Sequence, residues 1–249
     1  MGPLVSVIMP AYRSAGTIAA AVKSVLEQDV PLELIIVEDG SGENLMEVLD
    51  FCRDDPRVLL VINERNLGAA GSRNRGVNMA RGKYIAFLDS DDLWVPGKLR
   101  GQMAIMEKSG VVLCCTAREL MTPEGKRTGK ILPVAETITY KDLLKHNSIA
   151  CSSVMIRADV AREFPMEHAD SHEDYIMWLK VLKKYEKARG INLPLLRYRL
   201  SNTGKSGSKL HSAKMTFQVY RYMGFSLPKS LLCFCSYAFN GVKKYYFGG

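Results

Sequence analysis

Short apolar runs alternate with segments of helical periodicity over the first 90 residues, and this alternation constrains the fold more than any other feature. The predicted strands are 5–9, 32–37, 58–62 and 84–88, and the predicted helices between them are 17–27, 44–53 and 70–80. Alternating strands and helices build a mostly parallel sheet with helices on both faces. Each run is continuously apolar, as expected for strands that are covered on both sides. The sequence therefore predicts an α/β, Rossmann-like fold.

The second half of the chain is less regular. Strands are predicted at 111–116 and 152–157, and helices at 140–146 and 173–185. The Gly and Ser content of 201–208 predicts a flexible loop. We expect one main domain at 1–210, with halves at about 1–100 and about 101–210, followed by a basic, aromatic helical tail at 211–249.

Polar residues follow four of the predicted strands at the point where each strand ends. In open α/β sheets, ligands bind outside the carboxyl ends of the strands, so these residues define one candidate face. The residues at the four ends are Pro10-Ala11-Tyr12, Glu38-Asp39, the segment 63–68 with Asn66 and Gly68, and Asp89 to Asp92 with Ser90.

Three carboxylates, Asp89, Asp91 and Asp92, stand together at the end of the fourth strand. Ionised carboxylates repel one another, and burial of even one costs several kcal/mol unless a cation or hydrogen-bond donors compensate it. A divalent metal would resolve this conflict. The alternative is a turn or a helix N-cap, because Asp is common at both.

Three other features carry chemistry, and each has a structural alternative. Asp39 is either an acceptor for a base N–H or a turn-forming residue before a glycine. Arg73 is either a phosphate ligand beside a glycine-rich segment or a salt-bridge partner for the strand-end acids. Asp174, within His172-Glu173-Asp174, is either a general base or a cap at a helix start.

The formal net charge of +8 and a pI near 9.1 suit an anionic partner, which could be a nucleic acid, a phosphorylated metabolite or an acidic membrane surface. Nucleic acid is disfavoured because the acids cluster where a ligand would sit.

The six cysteines form no CxxC pair, and the sequence shows neither a signal-peptide pattern nor an apolar run of about 18–20 residues. A cytoplasmic location is therefore expected.

Five segments together resemble the family-2 glycosyltransferases of GT-A fold, over roughly residues 4–200. They are VSVIMPAYRSAGTI, VEDGS, NLGAAGSRNRG, YIAFLDSDDLW and HEDYIMWL, in the family's order and approximate spacing. The resemblance implies that Asp89 faces the ribose, that Asp91 and Asp89 hold Mn²⁺ or Mg²⁺, and that Asp174 is the catalytic base. It further implies that 1–210 is the catalytic domain, with a nucleotide-binding half at about 1–100 and an acceptor half at about 101–210. The nucleotide site would consist of Pro10, Ala11, Tyr12, Glu38, Asp39, Asn66, Gly68, Arg73, Asp89 and Ser90. The residues on the acceptor side would be Asp92, Trp94, His172 and Glu173.

The activity implied by this resemblance is metal-dependent, inverting transfer of one sugar from a nucleotide-diphosphate sugar, most simply a UDP-sugar. The acceptor would be a glycan or lipid-linked saccharide hydroxyl in bacterial capsule, teichuronic acid or lipopolysaccharide synthesis. Glu38 departs from the Asp of many relatives, and the QxxRW motif of processive synthases is absent. The alternatives are a nucleotidyltransferase, which the loop AYRSAGT after strand one does not favour, and a noncatalytic nucleotide- or nucleic-acid-binding module.

The tail mixes aromatic and apolar residues with basic ones and leaves two interpretations open. It could lie in the headgroup region of an anionic leaflet, which would make the protein peripheral on the inner face of the cell membrane. It could equally pack on the catalytic domain or on a second subunit, which would allow a homodimer. The basic residues concerned are Lys214, Arg221, Lys229, Lys243 and Lys244.

Overall fold

A computed structural model describes residues 2–200 and 209–246 of the chain. The strands in this part are β1 (Val5–Ala11), β2 (Leu32–Glu38), β3 (Val58–Ile62), β4 (Tyr84–Phe87), β5 (Leu93–Trp94), β6 (Leu113–Met121), β7 (Arg127–Leu132), β8 (Thr137–Thr139), β9 (Met155–Arg157) and β10 (Lys187–Arg199). The helices are α1 (Ile18–Leu26), α2 (Leu45–Val48), α3 (Gly68–Met79), α4 (Lys98–Ser109), α5 (Tyr140–Lys145), α6 (Ala158–Glu163), α7 (Glu173–Tyr185), α8 (Lys209–Tyr222) and α9 (Leu227–Tyr246).

The strands form a mixed sheet in the order β3-β2-β1-β4-β9-β6-β10-β5. The four strands β3, β2, β1 and β4 are parallel, with Val5 opposite both Leu32 and Tyr84. Beyond β4 most pairings are antiparallel, and only β6 and β10 run parallel to each other. The predicted parallel sheet is thus the first half of a larger mixed one.

Alternating residues of β1 enter two separate cores, one on each face of the sheet. Val7 and Met9 pack on the side of α1 and α4, whereas Ile8 packs on the side of α3, α6 and α7. Successive side chains of a strand point to opposite faces, so a strand covered on both sides must be apolar throughout. Gly76 of α3 allows a close approach to β1, because a Cβ there would lie 2.5 Å from Ile8 Cγ2.

Two predicted elements of the first half differ from the structure. The predicted helix 44–53 is broken into α2 and a 3₁₀ turn at Asp50–Cys52, and Asn44 makes no side-chain capping bond to start it. Strand β3 is an edge strand that leaves Leu59 and Ile62 exposed, so the expectation that it is covered on both sides is wrong.

Several elements of the second half were not predicted. Helix α4 lies between Gly97 and Gly110, both in the left-handed conformation, and β10 is the longest strand of the described chain. The predicted strand 152–157 is a 3₁₀ turn at Cys151–Ser153 followed by β9. The predicted loop 201–208 lies outside the described residues.

Helices α8 and α9 form the tail, and the tail packs on the preceding part of the chain. Ser171 Oγ donates to the carbonyl of Met215 at 2.9 Å, and Tyr220 Oη donates to the carbonyl of Leu144 at 2.8 Å. Of the interpretations left open by the sequence, packing of the tail on earlier residues of the same chain is therefore seen. No helix among the described residues has the length and apolar character needed to cross a bilayer.

Candidate active site

The predicted site residues after β1 to β4 lie along the carboxyl edge of the parallel strands. The loop after β2 closely approaches the loop after β3 at Gly40, which adopts a φ of +68°. A Cβ on Gly40 would lie 2.8 Å from the carbonyl carbon of Arg65 and 2.9 Å from the amide nitrogen of Asn66. Glycine at this position therefore permits the two loops to form one wall.

Asp39 is buried between these two loops and organises the start of α3. Its carboxylate accepts from Asn63 Nδ2 at 2.7 Å, from the Leu67 N–H at 2.8 Å and from the Gly68 N–H at 2.9 Å. A carboxylate offers about four acceptor positions, so at least one is left for a ligand. Asp39 therefore holds the loop after β3, whereas Glu38 makes the bonds within the turn at Gly40, and the base-binding role of Asp39 stays a prediction. Asn66, which is exposed, accepts from the same Gly68 N–H at 3.0 Å.

Glu38 supports the turn after β2. One carboxylate oxygen accepts from the Gly40 N–H at 3.0 Å and the other from the Ser41 N–H at 2.7 Å. Glu38 is also buried, so these two bonds hold the turn in place, and its predicted contact with a nucleotide stays a prediction.

The segment Pro10 to Tyr12 presents one exposed ring at the mouth of the site. Ala11 is buried, and its carbonyl accepts from the Asp39 N–H at 2.8 Å. Tyr12 is 46% exposed, and the guanidinium of Arg13 lies 5.3 Å from its ring centroid. Tyr12 therefore offers a flat surface for a planar ligand.

Arg73 joins two segments that are far apart in the sequence. Its Nη2 lies 2.5 Å from Asp89 Oδ1 and its Nη1 lies 3.2 Å from Glu173 Oε1. Arg73 and Glu173 are both buried, so both charges depend on this pairing. The salt-bridge alternative for Arg73 is therefore the one that the structure shows. The neighbouring Arg75 bonds to the carbonyl of Ile62 at 3.0 Å.

Asp91 is half-buried in the turn after β4. Burial and, secondarily, the charge of Asp89 raise the pKa of Asp91 to about 6. Such a shift marks a carboxylate whose negative charge the surrounding residues do not fully compensate. The turn itself is fixed by Ser152 Oγ, which accepts from the Asp89 N–H at 3.1 Å, and by Arg199 Nε, which donates to the Asp91 carbonyl at 2.7 Å.

The chemistry of these acids fits a divalent cation only with further ligands. Within the described ranges, no group of three or more His, Cys, Asp or Glu side chains is arranged to hold a metal ion. Mg²⁺ commonly binds through one or two carboxylates together with substrate phosphates and water. Asp89 and Asp91 match that donor set. The raised pKa of Asp91 indicates that a positive charge beside it would stabilise its ionised form.

Asp174 lies in the first turn of α7 with its carboxylate half-buried. One oxygen accepts from the Tyr175 N–H at 2.7 Å. Burial and the neighbouring Glu173 raise the pKa of Asp174, whereas the positive charges of Arg73 and His172 oppose the rise. A carboxylate with a raised pKa is a stronger proton acceptor than an exposed one. Asp174 therefore has the chemistry of a general base.

Three of the four residues predicted for the acceptor side have buried side chains. Asp92 and Trp94 are buried beneath the site: Asp92 Oδ1 accepts from the Arg199 N–H at 2.8 Å, and Trp94 Nε1 donates to the Ser152 carbonyl at 2.8 Å. Glu173 is buried against Arg73. These three side chains support the site from within, and His172 alone is half-buried at its surface.

Sequence reasoning missed Cys151, Ser152 and Arg199. Cys151 is buried, and Arg73, Asp89 and Asp174 all affect its thiol electrostatically, so it lies on the floor of the acid cluster. An isolated Cys-Ser pair carries no recognisable motif, and Arg199 is separated from Asp91 by more than 100 positions, so no local signal marks either.

Comparison with known proteins identifies the family. The model described as Glycosyl transferase family 2 matches residues 6–164, which is more than half of the chain. This chain belongs to glycosyltransferase family 2. The predicted family is thus confirmed, and the nucleotidyltransferase and noncatalytic alternatives are set aside.

Two relatives of this family-2 glycosyltransferase cover almost its whole length. TuaG of Bacillus subtilis (strain 168), whose name assigns it to teichuronic acid biosynthesis, is 39% identical over 245 residues, 97% of either chain. WfaP of Escherichia coli, named as a UDP-Glc:α-D-GlcNAc-diphosphoundecaprenol β-1,3-glucosyltransferase, is 34% identical over 98% of this chain and 96% of its own. The chain is accordingly a glycosyltransferase of bacterial polysaccharide synthesis.

The fold of the family-2 chain matches a solved structure. S. aureus TarS 1–349 in complex with UDP-GlcNAc superposes with a TM-score of 0.71 at 17% identity. The match covers 88% of this chain and 65% of the TarS chain, so this chain spans slightly under two thirds of it. The predicted GT-A fold is confirmed.

Proposed function

We propose that the protein is a metal-dependent, inverting glycosyltransferase that moves one sugar from a UDP-sugar to a hydroxyl of a lipid-linked saccharide. One observation carries the proposal: Arg73 ties Asp89 at the end of β4 to Glu173 at the start of α7. The candidate metal ligand Asp91 and the candidate base Asp174 adjoin those two acids. Donor activation and acceptor deprotonation are thereby brought to one place.

The donor pocket lies between the loops after β1, β2 and β3. The remaining acceptor position of Asp39 suits the N–H of a pyrimidine base, and the exposed ring of Tyr12 suits stacking against it. Pro10, Asn66, Gly68 and Ser90 would complete the nucleotide site. A uridine donor is supported by the name of WfaP, which specifies UDP-Glc, and by the complexes of TarS with UDP and UDP-GlcNAc.

Asp91 and Asp89 would hold the metal, Mn²⁺ or Mg²⁺. When bound, the ion supplies positive charge against the diphosphate leaving group. Asp89 is fixed for this purpose by Arg73 on one side and by Ser152 on the other. Asp92 keeps the turn in place from below through the Arg199 N–H.

Asp174 would remove the proton of the attacking hydroxyl. Attack of that oxygen on the anomeric carbon, with departure of the nucleoside diphosphate from the opposite face, inverts the configuration in one step. The Tyr175 N–H holds the carboxylate of Asp174, and the Arg73–Glu173 pair holds the first turn of α7.

The acceptor and the location follow from the relatives and from charge. WfaP is named for a diphosphoundecaprenol-linked acceptor, and undecaprenol is a lipid. We infer a similar acceptor here, reached by a cytoplasmic protein at the inner face of the membrane, with catalytic residues in 1–210 and the tail 211–249 as an accessory part. Dimer formation through the tail is the competing arrangement, and nucleic acid is not expected as a partner.

A thermal-shift screen of UDP, dTDP, GDP and CMP, with and without Mn²⁺, tests the donor and metal assignments. A ligand of the folded state raises the melting temperature. We expect UDP to give the largest shift, Mn²⁺ to increase that shift, and Asp91→Asn to abolish the increase. Asp159→Asn, at an exposed acid on α6, is the matched control that keeps it. A metal-independent UDP shift, or a larger shift with GDP, would contradict the assignment.

A further inference from the structure

Helix α9 is docked on the catalytic part by one of its faces. The Phe234 ring packs edge-on against Phe217, with centroids 6.0 Å apart. The Tyr237 ring lies 5.7 Å from His146 and 6.2 Å from Tyr175. Tyr175 directly follows Asp174, so α9 contacts the residue next to the candidate base.

A second apolar face of α9 points away from the protein. At about 100° per residue, four large apolar side chains fall within about 140° of arc, and Phe234 and Tyr237 lie outside that arc. All four are exposed: Leu227 by 57%, Leu231 by 48%, Leu232 by 73% and Phe239 by 72%. We call these four residues the outer face of α9.

The charged residues of the chain after Glu186 are all basic. No Asp or Glu follows Glu186, so all 26 acids lie in the first 186 residues, whereas 11 of the 34 Lys and Arg residues come after it. Arg221 and Lys229 are exposed beside the outer face and gather at Phe225, where Lys229 Nζ lies 4.0 Å from the ring centroid. An apolar stripe beside Lys and Arg, in a tail that contains no acid, matches an anionic leaflet, where apolar groups enter the acyl boundary and cations meet phosphates.

A second copy of the chain is a poorer occupant of this face. A two-fold contact sets the same patch against itself. The outer faces of two copies would therefore bring Arg221 and Lys229 of each towards those of the other, with no acid in either tail to pair with them. Anionic lipid headgroups supply the missing negative charge.

We propose that the outer face of α9 lies in the headgroup region of an anionic membrane leaflet and holds the active site at a fixed height above it. The contact of Tyr237 with Tyr175 transmits that position to the segment carrying Asp174. The proposal rests on the proposed function in one respect: membrane binding would serve to bring a lipid-linked acceptor to Asp174. The exposure of the outer face and the basic residues beside it do not depend on that function.

Co-sedimentation of the full chain with vesicles tests the proposal. We expect the protein to bind vesicles containing phosphatidylglycerol, to bind pure phosphatidylcholine vesicles far less, and to be released by salt. Leu232→Ser and Phe239→Ser should each lower partitioning by about tenfold, because each removes apolar area from the membrane boundary. Leu193→Ser is the matched control, since Leu193 is 59% exposed on β10 and outside the outer face.

Equal binding by wild type and Leu232→Ser, or absence of binding to anionic vesicles, would overturn the proposal. Light scattering that shows a dimer lost in Leu232→Ser, without vesicle binding, would assign the face to a second copy instead. The UDP thermal shift separates this proposal from the proposed function. It should be unchanged in Leu232→Ser, whereas a wild-type protein that binds vesicles but never responds to UDP would leave the membrane face standing and contradict the donor assignment.

Discussion

The guanidinium of Arg73 lies 3.2 Å from the carboxylate of Glu173, and this pair joins residues 100 positions apart across the candidate active site. Both side chains are buried, and the same guanidinium also holds Asp89. The network therefore fixes the end of β4 relative to the start of α7.

Replacement of Arg73 by Met should destabilise the protein. Glu173 would be left as a buried carboxylate without its cation, and breaking a buried pair in this way costs about 3–5 kcal/mol. Urea unfolding monitored by circular dichroism measures the loss. Arg53→Met is the control, because the pair of Arg53 with Asp50 is exposed and should contribute at most about 1 kcal/mol. Equal effects of the two substitutions would show that the Arg73 network does not support the fold.

The two oxygens of Asp92 lead to a different prediction. Oδ1 accepts from the Arg199 N–H, whereas Oδ2 is buried and within hydrogen-bond distance of no partner in residues 2–200 and 209–246, and burial raises the pKa of Asp92 well above its usual range. Asp92→Asn keeps the acceptor and should leave the unfolding free energy nearly unchanged. Asp92→Ala leaves the Arg199 N–H unsatisfied and should cost about 1–3 kcal/mol. A large loss in Asp92→Asn would mean that the negative charge itself is required.

Lys98 should make stability depend on pH above neutrality. The side chain is fully buried on α4, where it donates to Gln102 Oε1 at 2.7 Å and lies 4.0 Å from the Trp94 ring centroid. Burial lowers the pKa of Lys98 to about 7, whereas an unfolded Lys has a pKa of about 10.4. Between these values the unfolded chain binds more protons, so the contribution of Lys98 makes the unfolding free energy rise with pH across this window.

The measurement is urea unfolding at several pH values between neutrality and the ordinary lysine pKa. Lys98→Met should flatten the rise seen in the wild type. Lys108→Met, at an exposed position of the same helix, should leave the slope as it is. An unchanged slope in Lys98→Met would contradict the lowered pKa.

The sequence predicts best the helices and strands that are specified by residues close together in the chain. The runs 58–62 and 173–185 coincide with β3 and α7, since an apolar run between turn residues and a 3.6-residue period each specify one element. The residues at the ends of β1 to β4 were placed correctly because parallel strands bring their carboxyl ends to one edge.

Long-range pairing is what the sequence does not show. Asp92 and Trp94 adjoin Asp91 in the chain, yet both are buried because β5 pairs with the distant strand β10. The choice between phosphate ligand and salt-bridge partner for Arg73 depends on Glu173, which becomes its neighbour only through folding. Lys98 likewise lies in a helix whose sequence pattern does not indicate that this lysine is buried.

The role of Asp174 as the base is decided by Asp174→Asn, with sugar transfer and UDP binding measured on the same preparation. The raised pKa of Asp174 places the acid limb of the wild-type pH profile above the ordinary aspartate range, with activity falling as pH falls. The account predicts that the variant loses about 10²- to 10⁴-fold in transfer rate, loses that limb, and keeps the UDP thermal shift. Retention of full transfer, or loss of UDP binding together with transfer, would contradict the assignment of Asp174 as the base.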